Sequence, residues 1–224
     1  MTVAVVVPVY GNEATLAELA GRVAAALVGR QWRLRLVVDA SPDASLAVAQ
    51  VLAAGDSRIA VTDLTVNVGQ HRALARGLVD EPLADAWALI DGDLQDPPEA
   101  LPALLDLLAA SGAAVVFAGR TGAYEAPGRL RTGGLHRRLL ARLTGLPTDA
   151  GACMVLGPEA RAAVLALGGP SVVAAIGISG VPTASLPVER QPRPDGRSAW
   201  TSRARLRQSA RTLAWVTARR TRAG

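Results

Sequence analysis

The chain has 224 residues, 50% apolar but only 3% aromatic, so it can bury one sizeable core built of aliphatic side chains, and its 19% charged fraction argues against disorder. A single cysteine, Cys153, excludes an internal disulfide framework and suits a reducing compartment. The net charge of +5 divides unevenly: residues 201–224 carry seven arginines and no acid (+7), which leaves −2 for residues 1–200.

The chain enters an apolar run at once, without a basic segment and cleavage site before it, so no signal peptide is expected. Residues 3–7 are a continuous Val-rich run ending at Pro8, the pattern of a strand buried on both faces. Residues 13–27 place Leu16, Leu19, Val23 and Leu27 at helical spacing. A second strand over 34–38 and a helix over 45–52 follow, then a third strand over 59–64 and a helix over 71–78. The fourth strand, 86–90, ends on Asp91, and Pro98 stands where the start of a helix over 98–110 tolerates it. The fifth strand covers 115–118.

Beyond Gly119, residues 129–145 read as a basic helix, 148–156 as an extended Gly-rich stretch and 183–188 as a further strand. Residues 162–188 contain no charge and are long enough to span a bilayer. Their Gly168-Gly169-Pro170, Gly177, Gly180, Pro182 and Pro187 instead predict buried loop and short strand. The alternation of strands and helices predicts an α/β domain with a mostly parallel central sheet and helices on both faces. In such sheets ligands bind beyond the carboxyl ends of the strands. Here those ends carry Pro8-Val9-Tyr10, Asp39-Ala40-Ser41, Asn67-Val68-Gly69 and Asp91-Gly92-Asp93.

In extended geometry Asp91 and Asp93 point the same way, with Gly92 adding no side chain between them. Mg²⁺ or Mn²⁺ takes oxygen ligands, commonly one or two carboxylates plus substrate phosphates. Asp93 and the amide oxygen of Gln95 suit that role, with Asp91 as a second ligand or a ribose contact. Read alone, the same residues also fit a polar turn with Asp96 as the N-cap of the next helix.

The segments VVVPVYGNE, VVDASPD, NVGQHRAL, DGDLQDPPE, AGR at Arg120 and VERQPRPDGRS make the chain resemble the family 2 glycosyltransferases of GT-A (Rossmann-like) fold. Within them it is similar to the polyprenyl-phosphate sugar synthases, among them dolichyl-phosphate mannose synthase and the undecaprenyl-phosphate sugar transferases. The resemblance implies a GT-A domain over 1–200 and a basic helical tail over 201–224. It implies a GDP- or UDP-linked sugar donor held by Pro8, Tyr10, Glu13 (or Asn12), Asp39, Asn67, Gly69 and Asp91. Asp91, Asp93 and Arg120 would be catalytic, and Asp91, Asp93 and Gln95 would hold Mg²⁺ or Mn²⁺. Val38 and Ala40 stand where this family usually has an acid and a glycine, leaving Asp39, Ser41 and Asp43 of the motif. His71 in this motif opens a helix and orients neighbours rather than acting as a base.

Arginine's planar fork suits bidentate phosphate contacts. Arg120, Arg131, Arg193 and Ser198 are the expected acceptor-phosphate contacts, with Arg129 and Arg190 as further candidates. A hydroxyl acceptor needs a positioned carboxylate base, and no Glu-Asp pair occurs between Arg120 and Gly180. A phosphomonoester, with a second pKa of about 6, is already dianionic at neutral pH and needs none. The expected reaction is therefore inverting transfer of a hexose, of mannose or glucose type, to a polyprenyl phosphate. The alternatives are a hydroxyl acceptor on a small molecule, peptide or glycan, or a non-catalytic nucleotide-sugar-binding subunit.

In the tail, Leu206, Ala210, Leu213 and Val216 recur at helical spacing among arginines. Such a helix either lies on an anionic leaflet or packs on the domain. Lacking interleaved aromatics or a recognised module, it does not predict a nucleic-acid partner. The expected location is cytoplasmic, with peripheral contact at the inner face of the membrane.

Overall fold

The computed structural model describes residues 1–121, 127–192 and 202–221. Seven strands form one sheet: β1 (Thr2–Val9), β2 (Gln31–Asp39), β3 (Ile59–Leu64), β4 (Ala86–Leu89), β5 (Val115–Thr121), β6 (Met154–Leu156) and β7 (Thr183–Glu189). Their order is β3-β2-β1-β4-β6-β5-β7, and all neighbours are parallel except β6, which runs antiparallel between β4 and β5. The stretch expected to be extended from residue 148 is a strand only over Met154–Leu156.

Val3, Val5, Val7 and Val9 of β1 face one core with α1 (Leu16–Ala26), α2 (Ser45–Gly55) and α4 (Leu101–Ser111). Ala4 and Val6 face the other core, with α3 (Gln70–Asp80), α6 (Pro158–Leu167) and α7 (Val172–Ser179). A strand covered on both faces has no polar side, which is why its sequence is an unbroken apolar run. α3 lies so close to β1 that a side chain at Gly77 would strike Val6 Cγ1. Glycine here serves close packing rather than a turn, despite its cost inside a helix.

Within residues 162–188 the strand expected over 183–188 is β7, but where loop was expected the chain holds most of α6 and all of α7. α6 starts with Pro158 in its first turn, and α7 is capped by the Ser171 hydroxyl accepting from Ala174 N at 3.4 Å. Gly168-Gly169-Pro170 does break the chain, but between two helices bent 106° apart rather than across a loop. α7 is buried from Val172 to Ile176. Among the described residues no single helix is long and apolar enough to cross a membrane; this bent pair passes by length and composition only.

α5 (Pro127–Thr144) and α8 (Ser202–Arg220) pack against each other and against α7. α8 turns Thr212 and Val216 into the domain, and Gln208 Nε2 donates to Pro170 O at 2.6 Å. Of the expected apolar stripe, Val216 packs on the domain and Leu213 is half-buried, while Leu206 and Ala210 are exposed.

Candidate active site at the β1–β4 crevice

Strand order reverses between β1, which leads outward to β2 and β3, and β4, which leads toward the other edge. Loops leaving such a pair diverge and open a crevice. Residues 10–13 after β1 and 91–96 after β4 line it. Thr15 Oγ1 donates to Gly92 O at 2.6 Å, and a side chain at Gly92 would come 3.1 Å from the Asn12 amide. A Cβ at Gly92 would thus press on Asn12, so glycine eases the close approach of the acid loop to the first loop.

The loops after β1, β2 and β3 are stitched together. Ser41 Oγ accepts from Gly11 N (2.8 Å) and donates to Asp43 Oδ1 (2.6 Å), while Ser45 Oγ accepts from Asn12 N (2.9 Å). Glu13 Oε2 accepts from Ala44 N (2.7 Å), and Asn12 Oδ1 from Tyr10 N (2.9 Å). Burial works to raise the Asp43 pKa, but hydrogen bonds from Ser41, Ser45 and the Glu13 and Ser45 amides outweigh it and hold the group down at about 2. Asp39, 3% exposed, accepts from the Val68 and Gly69 amides at 2.7 and 2.8 Å, and Asn67 Nδ2 donates to Asp39 O at 3.0 Å. Ala40 follows at φ +50, the left-handed region, where a glycine carries no Cβ penalty.

Asp91 lies at the crevice with 19% of its side chain exposed. Its Oδ1 accepts from Gln70 Nε2, and its Oδ2 is 3.6 Å from Arg190 Nη2. Burial, then repulsion from Asp93 and Asp96, pushes its pKa up to about 6 against the opposing charges of Arg190 and Arg120. Asp93 Oδ1 accepts from Gln95 N at 3.1 Å. Gln95 is 4% exposed and its amide nitrogen donates to Gln191 O at 3.4 Å. Among the described residues no three His, Cys, Asp or Glu side chains form a protein-only metal cluster. This donor set fits Mg²⁺ or Mn²⁺ all the same: two crowded carboxylates suit a hard cation that completes its shell with diphosphate oxygens and water.

Arg120 lies inside β5 rather than after it. Its Nε is buried without a hydrogen-bond partner among the described residues, and a side chain at Gly151 would come within 2.6 Å of that nitrogen. Burying a guanidinium nitrogen unpaired is costly unless an anion arrives. Asp149, on the same side, accepts from Ser185 Oγ at 2.7 Å. Enclosure, with the charges of Asp96 and Asp91 adding to it, pushes the Cys153 thiol well up, so it is inert filler behind the acids.

A family model described as Glycosyl transferase family 2 matches residues 4–157, which contain the crevice, both acids and Arg120. The chain belongs to glycosyltransferase family 2. The undecaprenyl-phosphate 4-deoxy-4-formamido-L-arabinose transferase of Pseudomonas aeruginosa is 36% identical over 156 residues, covering 68% of this chain and 45% of that protein. The transferase of the same description from Shewanella sediminis is 34% identical over 156 residues, covering 68% and 46%. The chain thus spans about half the length of the curated relatives it matches. Glucosyl-3-phosphoglycerate synthase from Mycobacterium tuberculosis, solved with Mn²⁺, UDP and glucosyl-3-phosphoglycerate, superposes with a TM-score of 0.73 at 20% identity, covering 97% of this chain and 79% of that one. At that identity the likeness establishes the GT-A fold alone.

In this family 2 domain the crevice brings together Tyr10, Asp39, Asn67, Gly69, Asp91, Asp93 and Gln95 at one sheet edge, with Pro8 inside β1 beside Val37. Glu13 is turned toward the α2 N-terminus, and Asn12 is the residue against the acid loop. His71 is the second residue of α3, matching its expected place at a helix start. Asp96 is no N-cap: Pro97 occupies that position before the short 3-10 turn Pro98–Ala100, and the Asp96 carboxylate pairs with Arg190 at 2.9 and 3.0 Å. Arg190, read as a candidate phosphate contact, is 6% exposed within that pair. Arg129 and Arg131 lie on α5, with side chains outside the described residues, as are Arg193 and Ser198 altogether. Sequence reasoning missed Gln70 and Thr15, and held Asn12 only as the alternative to Glu13. Only their adjacency to the NVG and GNE motifs marked them, and short polar residues there also suit plain caps.

Proposed function

We propose that the protein is a metal-dependent, inverting glycosyltransferase that moves a sugar of hexose type from a GDP- or UDP-linked donor to a polyprenyl phosphate. The observation that carries this reading is Arg120: a guanidinium with its Nε buried and unpartnered, beside a pair of crowded acids. The donor diphosphate would reach Asp91 and Asp93 through a shared Mg²⁺ or Mn²⁺, and Gln95 would contribute its amide oxygen. That cation, when bound, neutralises the departing nucleoside diphosphate. Tyr10, Pro8 and the amide-bound Asp39 line the nucleoside side, while Asn67 and Gly69 carry the loop over it.

In the reaction the acceptor oxygen forms a bond to the anomeric carbon as the bond from that carbon to the diphosphate breaks on the opposite face. A phosphate acceptor brings its negative charge ready-made and needs orientation, which Arg120 supplies together with Arg131, Arg193 and Ser198. The 36% identity to an undecaprenyl-phosphate transferase supports this acceptor class. Exposed Arg138 and Arg142 on α5 and Arg207, Arg211 and Arg220 on α8, with no acid on either helix, support a peripheral approach to an anionic leaflet. One observation favours a second reading, a hydroxyl acceptor: the Asp149 carboxylate touches Gly119, next to Arg120, where a base would be useful.

Purified protein incubated with Mn²⁺, labelled UDP- and GDP-sugars and a short polyprenyl phosphate is expected to yield an organic-extractable labelled product. Absence of such product with every donor overturns the lipid-phosphate reading. An Asp93→Ala variant is expected to lose about 100- to 1000-fold of that activity; full activity in it would leave only a non-catalytic role for the acid centre.

A further inference from the structure

The acid loop is bound within itself only at Gln95 N to Asp93 Oδ1 among the contacts described above, and is otherwise held from outside. Leu94, between the acids and Gln95, sits at φ +59 with its side chain buried, a backbone state that persists only where surroundings impose it. Beside the Thr15 and Gln70 contacts, those surroundings include the chain after β7, where Arg190 lies 94 positions beyond Asp96. Arg190 closes a two-pronged ion pair on Asp96, Nε to Oδ1 at 2.9 Å and Nη2 to Oδ2 at 3.0 Å, with Asp96 2% exposed. The same Nη2 faces Asp91 Oδ2 at 3.6 Å. Gln191 N donates to Gln95 O at 2.8 Å, Gln95 Nε2 returns to Gln191 O at 3.4 Å, and Arg190 N donates to Thr121 O at 3.1 Å. One guanidinium thus grips the base of the acid loop and faces one of its two half-buried carboxylates.

A buried ion pair is a weak device for stability, because desolvation offsets most of its attraction. Its planar fork is a good device for fixing geometry. We propose that Arg190 is a positioning residue, which through Asp96 and Asp91 holds the loop after β4 in the shape that lets Asp91 and Asp93 share a divalent cation with a nucleoside diphosphate. This rests on the proposed metal-dependent transfer. It removes Arg190 from the acceptor-phosphate contacts and makes docking of β7 a condition for a competent acid centre.

The test is calorimetric titration of the full chain with Mn²⁺ plus UDP and Mn²⁺ plus GDP, without acceptor, alongside thermal melts. Arg190→Lys keeps the charge and loses the fork; it is expected to weaken binding of the preferred pair about 10- to 100-fold. Asp96→Asn, which leaves Arg190 in place, is expected to weaken it in the same direction, and the double variant no further than the worse single one. Glu81→Gln breaks a buried ion pair with Arg33 and Arg35 at the opposite edge of the sheet, and is expected to lower the melting temperature while leaving affinity unchanged. Unchanged affinity in Arg190→Lys or in Asp96→Asn overturns the inference and leaves the proposed function standing. So does a loss matched by Glu81→Gln, which would mark a purely structural pair. Wild-type protein that binds neither pair overturns both.

Discussion

The two sides of the crevice treat their polar groups in opposite ways. On the side of β1, β2 and β3, three loop carboxylates are consumed by neighbouring backbone and hydroxyls: Asp39 by two amides, Asp43 by Ser41 and Ser45, Glu13 by the start of α2. On the side of β5, Arg120 keeps a buried Nε with no hydrogen-bond partner among the described residues, and Gly151 leaves space for its guanidinium. The first side is a finished cradle, stable without a ligand. The second keeps one buried donor without a hydrogen bond, which under the proposed function is met by the acceptor phosphate. Preorganised charge of this kind is what a transfer reaction exploits, and it is obtained at the expense of stability.

The largest test of this contrast is Arg120→Met, similar in volume and without charge. It is expected to cut kcat/KM about 100-fold, in line with the loss of one preorganised electrostatic contact, while the melting temperature holds or rises. A variant that melts markedly lower would mean that Arg120 is satisfied after all, and the contrast fails. Next in size, Gly77→Ala forces a methyl group into Val6 where α3 meets β1. It is expected to cost about 1–3 kcal/mol in denaturant unfolding, with a smaller effect on the activity of the folded fraction.

The finished side has its own pH signature. The folded Asp43 pKa of about 2 lies below its ordinary value of 3.8, so its stabilisation is complete above that ordinary value and is lost as pH falls through the folded one. Because Asp43 is only partly enclosed, the loss is expected to be about 1 kcal/mol, and Asp43→Asn should flatten the stability curve between pH ~4 and ~2. The smallest expected effect is at Ala40. Ala40→Gly relieves a left-handed residue but adds unfolded-state freedom, for a net gain of about 0.5 kcal/mol. A loss there would show that the β2 loop is not strained.

Much of this was legible in one dimension. The apolar runs of β1, β2 and β3, the helical spacing of Leu16, Leu19 and Val23, and the polar residues at each strand end located the sheet edge and the acids on it. α6 and α7 were not legible, because Gly168-Gly169-Pro170 and the absence of charge hide a helical period that has no polar face to contrast with. Nor was the direction of β6, since three apolar residues carry the same pattern whichever way they run.

By itself, then, the sequence determined the α/β alternation and the place of Asp91-Gly92-Asp93 at the end of β4, because periodicity and turn chemistry are local properties of the chain. Only the tertiary structure decided which charges are spent. Arg120, Arg190 and the arginines of α8 are the same residue type in the sequence. Folding buries the Arg120 Nε without a partner, closes Arg190 on an aspartate 94 positions away, and leaves Arg207 and Arg211 in solvent. Burial and pairing between distant segments set the worth of a charge, and neither leaves a local pattern.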